Sequence, residues 1–411
     1  MNHIEYSSKY GWGICVLLLV FIFSPVLSTQ PDAHPGALYV VPIIVSIFIM
    51  ALLSGIIRPR IINLYAVLFL FFAIISTAIS NIVGFGSGLL KLFVFIILFI
   101  SISSFVLTPK QLKISFKTYL YLSIAISILI ILSFVFGYPH IEEFGFQGRY
   151  SIGITGIFKN PNYLSSFYNA SFFVICYILA TVTVPLKEKV VFYSILALFV
   201  VATFFTGTRA ALLVEAFVVI AMMFIKAKRT KMYKFIPVVI IIFIVLIYYW
   251  STLIELYNMF VAGREMMSDS IREVSWNYAL HFIKENPILG CGHKAWDVIR
   301  FTRGDVDEYL HNIFLELILD QGIIGLLLVI AIIFIGYNRT KKGDRLFLML
   351  LLVTTGFPLL FQNGLYEVNF WRFLIINRLM INVSVAYDGG IKGFLESMYG
   401  RHSSKSKQYI F

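Results

Sequence analysis

Long apolar runs, separated by short polar interruptions, recur along the whole chain. Each run approaches the roughly 20 residues that an α-helix needs to cross the hydrocarbon core of a bilayer. We predict about twelve transmembrane helices, at 11–28, 36–57, 61–83, 88–107, 116–137, 161–184, 190–206, 210–225, 235–250, 312–336, 345–361 and 371–388. The predicted fold class is an all-α integral membrane protein, in which residues 1–411 form a single transmembrane bundle.

Two of the polar stretches between these runs stand out as external loops. Residues 138–160 form a short one, and residues 251–311 form the largest polar piece of the chain. Within the larger loop, the segment 270–285 carries apolar side chains at helical spacing, namely Ile271, Val274, Tyr278 and Phe282. This spacing predicts a short amphipathic helix that lies on the membrane and ends at Asn286-Pro287.

Composition and charge agree with a membrane location. Of the 411 residues, 59% are hydrophobic and 13% are charged, whereas a soluble domain has roughly 25% charged residues. Lys and Arg concentrate in alternate loops and in a basic tail at 389–411, which places both termini in the cytoplasm by the positive-inside rule. Topology and anionic membrane lipids therefore account for the net charge of +12, and nucleic acid is excluded as a partner.

Five short motifs follow one another between residues 156 and 322. They read GIFKNPNYLSSF (156–167), TRAALL (208–213), REVSW (272–276), NPILGCG (286–292) and HNIFLELILDQG (311–322). The ordered set resembles the signature of the bacterial O-antigen ligase and O-antigen or capsular polysaccharide polymerase family. Three residues depart slightly from this signature: Cys291 and His293 occupy positions that are usually small or polar, and Asp320 stands where the family more often has Glu.

This resemblance implies a glycosyltransferase of GT-C-like architecture in the bacterial inner membrane, with its active site facing the periplasm. Family members transfer a glycan from an undecaprenyl-diphosphate-linked oligosaccharide donor to an acceptor hydroxyl, in lipopolysaccharide or capsular polysaccharide biosynthesis. We expect an O-antigen polymerase, whose acceptor is another lipid-linked glycan. The alternative within the family is an O-antigen ligase, whose acceptor is lipid A–core. Membrane lipids and a chain-length regulator are further expected partners.

Three arginines are candidates for binding the donor's diphosphate. Breaking the glycosidic bond adds negative charge to the leaving diphosphate, and a guanidinium group can bind phosphate oxygens in a bidentate manner. Arg209 lies at the junction of the seventh and eighth spans, Arg272 opens the loop helix, and Arg264 is a weaker match. The alternative for Arg209 is an interfacial arginine that reaches lipid phosphate, and for Arg272 a solvated or lipid-binding surface residue.

His311 is the candidate catalytic base, because imidazole titrates near the working pH and an acceptor hydroxyl needs a base as it attacks. The alternatives for His311 are binding the diphosphate and capping the tenth span. Glu316 and Asp320 follow on the same helix. Three roles are open for them: orienting His311, pairing with an arginine, or forming a purely structural pair. Further supporting candidates are Asn312, Asn160, Asn162 and Tyr163, and the role of Glu215 in the eighth span stays open.

A twelve-helix transporter or lipid-linked glycan flippase is the alternative from another class. Against it, the two halves of the chain show no repeated pattern, and the notable polar groups gather at one membrane face instead of the midplane.

We expect no cofactor and metal-independent transfer, because no external cluster of Asp, Glu or His has ligand-like spacing. The nearest approach to one, Asp305, Asp307 and Glu308, is interpreted as a solvated loop.

Overall fold

The computed structural model of the protein describes residues 2–27, 37–53, 61–84, 86–104, 107–136, 161–230, 267–302, 306, 309–361, 368–387 and 389–399. Within these ranges the chain forms helices and turns without any strand. The helices are α1 (Asn2–Leu27), α2 (Ala37–Leu53), α3 (Ile61–Ile79), α4 (Ser87–Ser104), α5 (Pro109–Val135), α6 (Pro161–Thr181), α7 (Leu186–Thr206), α8 (Arg209–Thr230), α9 (Met267–Glu285), α10 (Ala295–Ile299), α11 (Ile313–Phe334), α12 (Arg345–Gly356), α13 (Val368–Ala386) and α14 (Gly390–Tyr399). The all-α prediction is confirmed for this part of the chain.

Six segments of the described chain are helical, long and apolar enough to cross a membrane. They are Ile61–Ile79, Pro109–Val135, Leu164–Thr181, Leu186–Thr206, Ile313–Arg339 and Lys342–Phe361. Shorter apolar helices at Tyr10–Ile22, Val41–Leu53 and Gly88–Ser103 coincide with three more predicted spans. A multi-pass membrane protein is therefore confirmed, whereas the count of twelve spans and their orientation stay predictions. The predicted span 235–250 lies outside the described residues.

The predicted loops are described in part. Helix α9 covers the predicted loop helix at 270–285 and ends directly before Asn286-Pro287. The short loop 138–160, the first part of the large loop at 251–266 and the end of the basic tail at 400–411 lie outside the described residues.

Contacts among the described residues divide the chain into two compact units. Unit 1 comprises Met1–Phe116, Met266–Arg339 and Leu359–Ile381, and unit 2 comprises Lys117–Glu265, Thr340–Pro358 and Asn382–Phe411. In unit 1, α3 packs against α4 and α11, and the loop helices α9 and α10 also pack against α11. In unit 2, α6 packs against α7, α8 and α12.

Helix α6 is the central helix of unit 2. Within its apolar window Leu164–Thr181, 89% of the residues are buried inside the protein, compared with 28% for Leu186–Thr206 in α7. Its buried face includes the polar residues Ser165, Asn169 and Ser171, and Ser171 shares a 3.0 Å hydrogen bond with Ser123 of α5. A spanning helix tolerates such residues where neighbouring helices, instead of lipid, surround them.

Candidate active site

The motif NPILGCG binds to the middle of α11 through backbone hydrogen bonds. The N–H of Cys291 donates to the carbonyl of Leu319 at 2.7 Å, and the N–H of Ile323 donates to the carbonyl of Pro287 at 2.9 Å. Helix α11 is interrupted here, because Gly322 adopts φ 63° and ψ −163°. The apolar run at 312–336 predicted an uninterrupted helix. The helix breaks at Gly322 because the backbone groups of Leu319 and Ile323 form hydrogen bonds with the NPILGCG turn.

Glycine is required at two positions of this contact. A Cβ atom on Gly322 would lie 2.2 Å from the carbonyl oxygen of Ile288, and one on Gly290 would lie 2.5 Å from the carbonyl carbon of Asp320. Both glycines also have positive φ, at 63° and 75°, which side chains rarely allow. The glycines of the NPILGCG and HNIFLELILDQG motifs therefore belong to one structural element.

The carboxylate of Asp320 caps the short helix α10. Its Oδ2 accepts a hydrogen bond from the N–H of Lys294 at 2.8 Å, and its Oδ1 accepts one from the N–H of Ala295 at 3.1 Å. The side chain is fully buried, and both the free N–H groups and the dipole of a helix N-terminus favour a carboxylate there. These contacts of Asp320 are structural, since they join α11 to the start of α10.

Three hydroxyl residues near the end of α3 hold the same turn. Ser76 Oγ donates to the carbonyl of Asp320 at 2.7 Å, Thr77 Oγ1 accepts from the N–H of His293 at 3.0 Å, and Ser80 Oγ donates to the carbonyl of Cys291. These three residues were not among the predicted site residues. Their spacing places them along one side of a helix, and this polar stripe in an apolar run was the available signal.

Trp276 links the REVSW motif to the segment that carries His311. Its indole Nε1 donates to the carbonyl of Leu310 at 2.7 Å. Trp276 packs against a buried cluster that includes Ala279, Cys291, Leu310 and Leu319. The peptide directly before His311 is therefore fixed by both a hydrogen bond and apolar packing.

His311 is the last residue before the N-cap of α11. Its φ of 51° is left-handed, which is uncommon for residues other than glycine, and its ring centroid lies 5.9 Å from that of Tyr309. The N-cap itself is Asn312, whose Oδ1 accepts from the N–H groups of Phe314 at 3.1 Å and Leu315 at 3.0 Å. Asn312 thus performs the capping role that was one alternative for His311.

Arg272 lies one helical turn before Trp276 on α9, so the two side chains share a face of that helix. The side chain of Arg272 is half-buried, and its Nε atom is buried without a hydrogen-bond partner among the described residues. Leaving a buried donor unsatisfied costs about 1–3 kcal/mol. An anionic ligand that accepts from this Nε would recover that cost.

Arg209 belongs to unit 2 and begins α8. Gly207, with φ 63°, ends α7 in the left-handed conformation, and the chain turns through the buried Thr206 and Thr208 into α8. Thr206 Oγ1 donates to Thr208 Oγ1 at 3.0 Å. The half-buried Arg209 therefore stands at a helix N-terminus, on a turn that small and hydroxyl-bearing residues make tight.

The remaining predicted site residues are described incompletely. Glu316 lies half-buried in the first turn of α11. Arg264 and Asn160 lie outside the described residues, as do the side chains of Asn162 and Tyr163 at the start of α6, and the run Asp305, Asp307 and Glu308. In the ranges that the structure covers, no group of three or more His, Cys, Asp or Glu residues is arranged to hold a metal ion.

Cys291 and His293, two of the three residues that depart from the family's motifs, lie in the buried part of unit 1. Burial lowers the pKa of His293 to about 4 and raises the pKa of the Cys291 thiol to about 11. At neutral pH both side chains are therefore uncharged. Neither contributes a charge to the surroundings of Arg272 and His311.

The fold and the site define a multi-pass membrane protein in which the motifs at 272–276, 286–292 and 311–322 pack together at α11 within unit 1. Comparison with known protein families gives a match to the model described as O-antigen ligase over residues 194–330. The match covers about a third of the chain and includes Arg209, Arg272 and His311. This region is therefore similar to O-antigen ligases. A comparison with curated protein sequences gives no significant match.

Proposed function

We propose that the chain is a membrane glycosyltransferase. It transfers a glycan from undecaprenyl diphosphate to an acceptor hydroxyl on the outer side of the bacterial inner membrane. The observation that carries the proposal is the hydrogen bond from Trp276 to the carbonyl of Leu310. This bond ties the helix of Arg272 to the segment of His311, within the region 194–330 that matches the O-antigen ligase family.

Between the two acceptors, lipid A–core is favoured over a second lipid-linked glycan. The matching family is described as O-antigen ligase, and nothing in the structure or the comparisons favours the polymerase predicted from the sequence motifs. We therefore propose O-antigen ligase activity in lipopolysaccharide biosynthesis. Polymerase activity stays the competing outcome of the experiment below.

In the proposed reaction, the acceptor oxygen attacks the anomeric carbon while the bond from that carbon to the diphosphate oxygen breaks. His311 takes the proton of the acceptor hydroxyl as general base. Arg272 binds the diphosphate, whose negative charge rises by one as the bond breaks, and its buried Nε supplies a charge-assisted hydrogen bond. For Arg209 and Arg264, the role of diphosphate ligand is supported by the family resemblance alone.

The first experiment measures transfer by the purified full-length protein with lipid-linked donor extracted from a strain that lacks the protein. Arg272→Ala should abolish or severely reduce transfer. Arg272→Lys should rescue it poorly, because an ammonium group keeps the charge but loses the planar fork. Lys284→Ala, an exposed basic position on the same helix, is the matched control and should transfer normally. Near-normal transfer by both Arg272 variants would remove Arg272 from diphosphate binding.

The second experiment identifies the acceptor from the surface glycans of a deletion strain. Lipid A–core without glycan, together with accumulated lipid-linked glycan, indicates a lost ligase. Lipid A–core that carries a single repeat unit indicates a lost polymerase. Unchanged surface glycans would contradict both functions.

A further inference from the structure

The part of α11 that follows its break carries an exposed apolar stripe. Beyond Gly322, large apolar side chains are exposed at intervals of four, three and four residues, which is the spacing of one helix face. They are Ile323, Leu327, Ile330 and Phe334. Because α11 belongs to the candidate membrane-spanning segment Ile313–Arg339, this stripe is the side of the helix that acyl chains cover.

The NPILGCG turn continues the stripe beyond the helix. The N–H of Ile323 donates to the carbonyl of Pro287 at 2.9 Å, and the N–H of Ile324 donates to the carbonyl of Ile288 at 3.4 Å. Ile288 is therefore held beside the first residue of the stripe. Its side chain is 61% exposed, compared with 43% for Ile323. The exposed apolar surface thus extends from α11 onto the turn.

The turn lies where α3 ends. Helix α3, Ile61–Ile79, has 19 residues and is therefore about 28 Å long, close to the roughly 30 Å thickness of a hydrocarbon core. At its end, Ser80 Oγ donates to the carbonyl of Cys291, and Thr77 Oγ1 accepts from the N–H of His293 at 3.0 Å. These contacts place the turn at the edge of the hydrocarbon core.

The residues before the turn agree with this depth. Lys284 and Glu285, in the last turn of α9, are exposed, and charged groups are costly in hydrocarbon, so α9 ends in water or among headgroups. The apolar face of α9, which was predicted to lie on the membrane, is partly covered by protein, because Tyr278 and Phe282 pack against the buried cluster of unit 1. The exposed polarity therefore changes from charged to apolar between Glu285 and Ile288.

We propose that the turn at 286–290 is a membrane anchor, in which Ile288 inserts between the phospholipid acyl chains of the outer leaflet. The partner is lipid instead of a second protein, because the exposed surface of the turn is continuous with the lipid-facing stripe of a spanning helix. The inference is independent of the transfer reaction. It adds to the proposed function a means of holding the segment of His311 at a constant height above the lipid, since α9 joins the turn to Trp276.

Spin-label accessibility tests the anchor on the full-length protein in nanodiscs of phosphatidylethanolamine and phosphatidylglycerol. Labels are attached to Ile288→Cys, to Leu327→Cys in the stripe and to Lys284→Cys as the matched control on α9. The native Cys15, Cys176 and Cys291 are buried, so wild type gives the background. Molecular oxygen concentrates among acyl chains, whereas a nickel chelate stays in water. The labels at 288 and 327 should be several-fold more accessible to oxygen than to nickel, and the label at 284 should show the reverse.

Two results would overturn the anchor. Greater accessibility of the label at 288 to nickel than to oxygen would place Ile288 in water, and low accessibility to both reagents would place it against protein. A label at 327 that preferred oxygen in the same experiment would show that the stripe itself still faces lipid.

A second measurement avoids substitution. Wild type is reconstituted with phosphatidylethanolamine that carries a photoreactive diazirine on an acyl chain, and trypsin then releases the peptide 285–294 by cleaving after Lys284 and Lys294. Illumination should attach lipid at Ile288. Lipid attached to α11 but not to this peptide would contradict the anchor. Neither measurement needs a glycan donor or an acceptor, so failure of the anchor leaves the proposed function untouched, and failure of transfer leaves the anchor untouched.

Discussion

Replacing Trp276 with Phe separates the positioning of His311 from the packing around it. The change removes the Nε1–H group that donates to the carbonyl of Leu310 at 2.7 Å, and it keeps an aromatic ring against the buried cluster. Leu310 is only 3% exposed, so bulk water does not readily replace the lost donor. The next residue, His311, has the left-handed φ of 51° and depends on its surroundings to stay there.

The size of the effect follows from these two features. A buried acceptor left unsatisfied costs about 1–3 kcal/mol, and a non-glycine residue in the left-handed region stores about 1–3 kcal/mol that is released if the segment rearranges. Part of this energy then favours conformations in which His311 is displaced. Each 1.36 kcal/mol changes a rate or population about tenfold. We therefore expect the maximal transfer rate to fall by roughly 10- to 100-fold, with donor KM changed little.

The assay compares initial transfer rates and amide hydrogen exchange near residues 309–311 in wild type and Trp276→Phe. Trp296→Phe is the matched control, because Trp296 is also buried and its Nε1 has no hydrogen-bond partner among the described residues. The control should keep both the rate and the exchange pattern. Equal behaviour of the two variants would refute the idea that the Trp276 hydrogen bond positions His311.

Four further predictions follow from the same region. Asp320→Asn replaces one of the two carboxylate oxygens, which accept from the N–H groups of Lys294 and Ala295, with an NH₂ group. This NH₂ donor then faces a backbone N–H, which is also a donor. The substitution should lower stability by about 2–3 kcal/mol and speed amide exchange at the start of α10, and unchanged exchange would contradict the capping role. Gly322→Ala places a methyl group 2.2 Å from a carbonyl oxygen, so little folded protein should reach the membrane, and a stable, active variant would disprove the tight contact. Burial lowers the pKa of His293 from 6.5 to about 4. Between pH 6.5 and pH 4, the imidazole therefore binds a proton in the unfolded protein but not in the folded protein. Stability should therefore fall as the pH drops from about 6.5 to 4, and His293→Gln should flatten this slope in unfolding measurements; an unaltered slope would exclude His293 as its source. His311→Ala should lose roughly 10²–10⁴ in rate with donor binding intact if His311 is the base, whereas lost donor affinity would assign it to diphosphate binding.

The helical, multi-pass character of this protein is determined by its sequence alone. A membrane-spanning segment must satisfy its backbone hydrogen bonds internally, so long apolar runs have few structures available to them. The loop helix at 270–285 was likewise predictable, because the 3.6-residue spacing of its apolar side chains is a local property. The candidate chemistry of Arg272 and His311 was evident as residue types within ordered motifs. Their attachment to each other through Trp276 and Leu310 was not evident.

The tertiary structure decided which segments meet and what surrounds them. The apolar run at 312–336 gave no sign of the break at Gly322, because the break results from hydrogen bonds to the distant NPILGCG turn. Those same contacts place the Asp320 carboxylate on the N-terminus of α10, although helical spacing alone suggested a role beside His311. Helices α6 and α7 are both apolar runs in the sequence, yet α6 is enclosed by protein and α7 is mostly exposed. Lipid and protein interior are similarly apolar, so hydrophobicity identifies a spanning helix without distinguishing which of the two surrounds it.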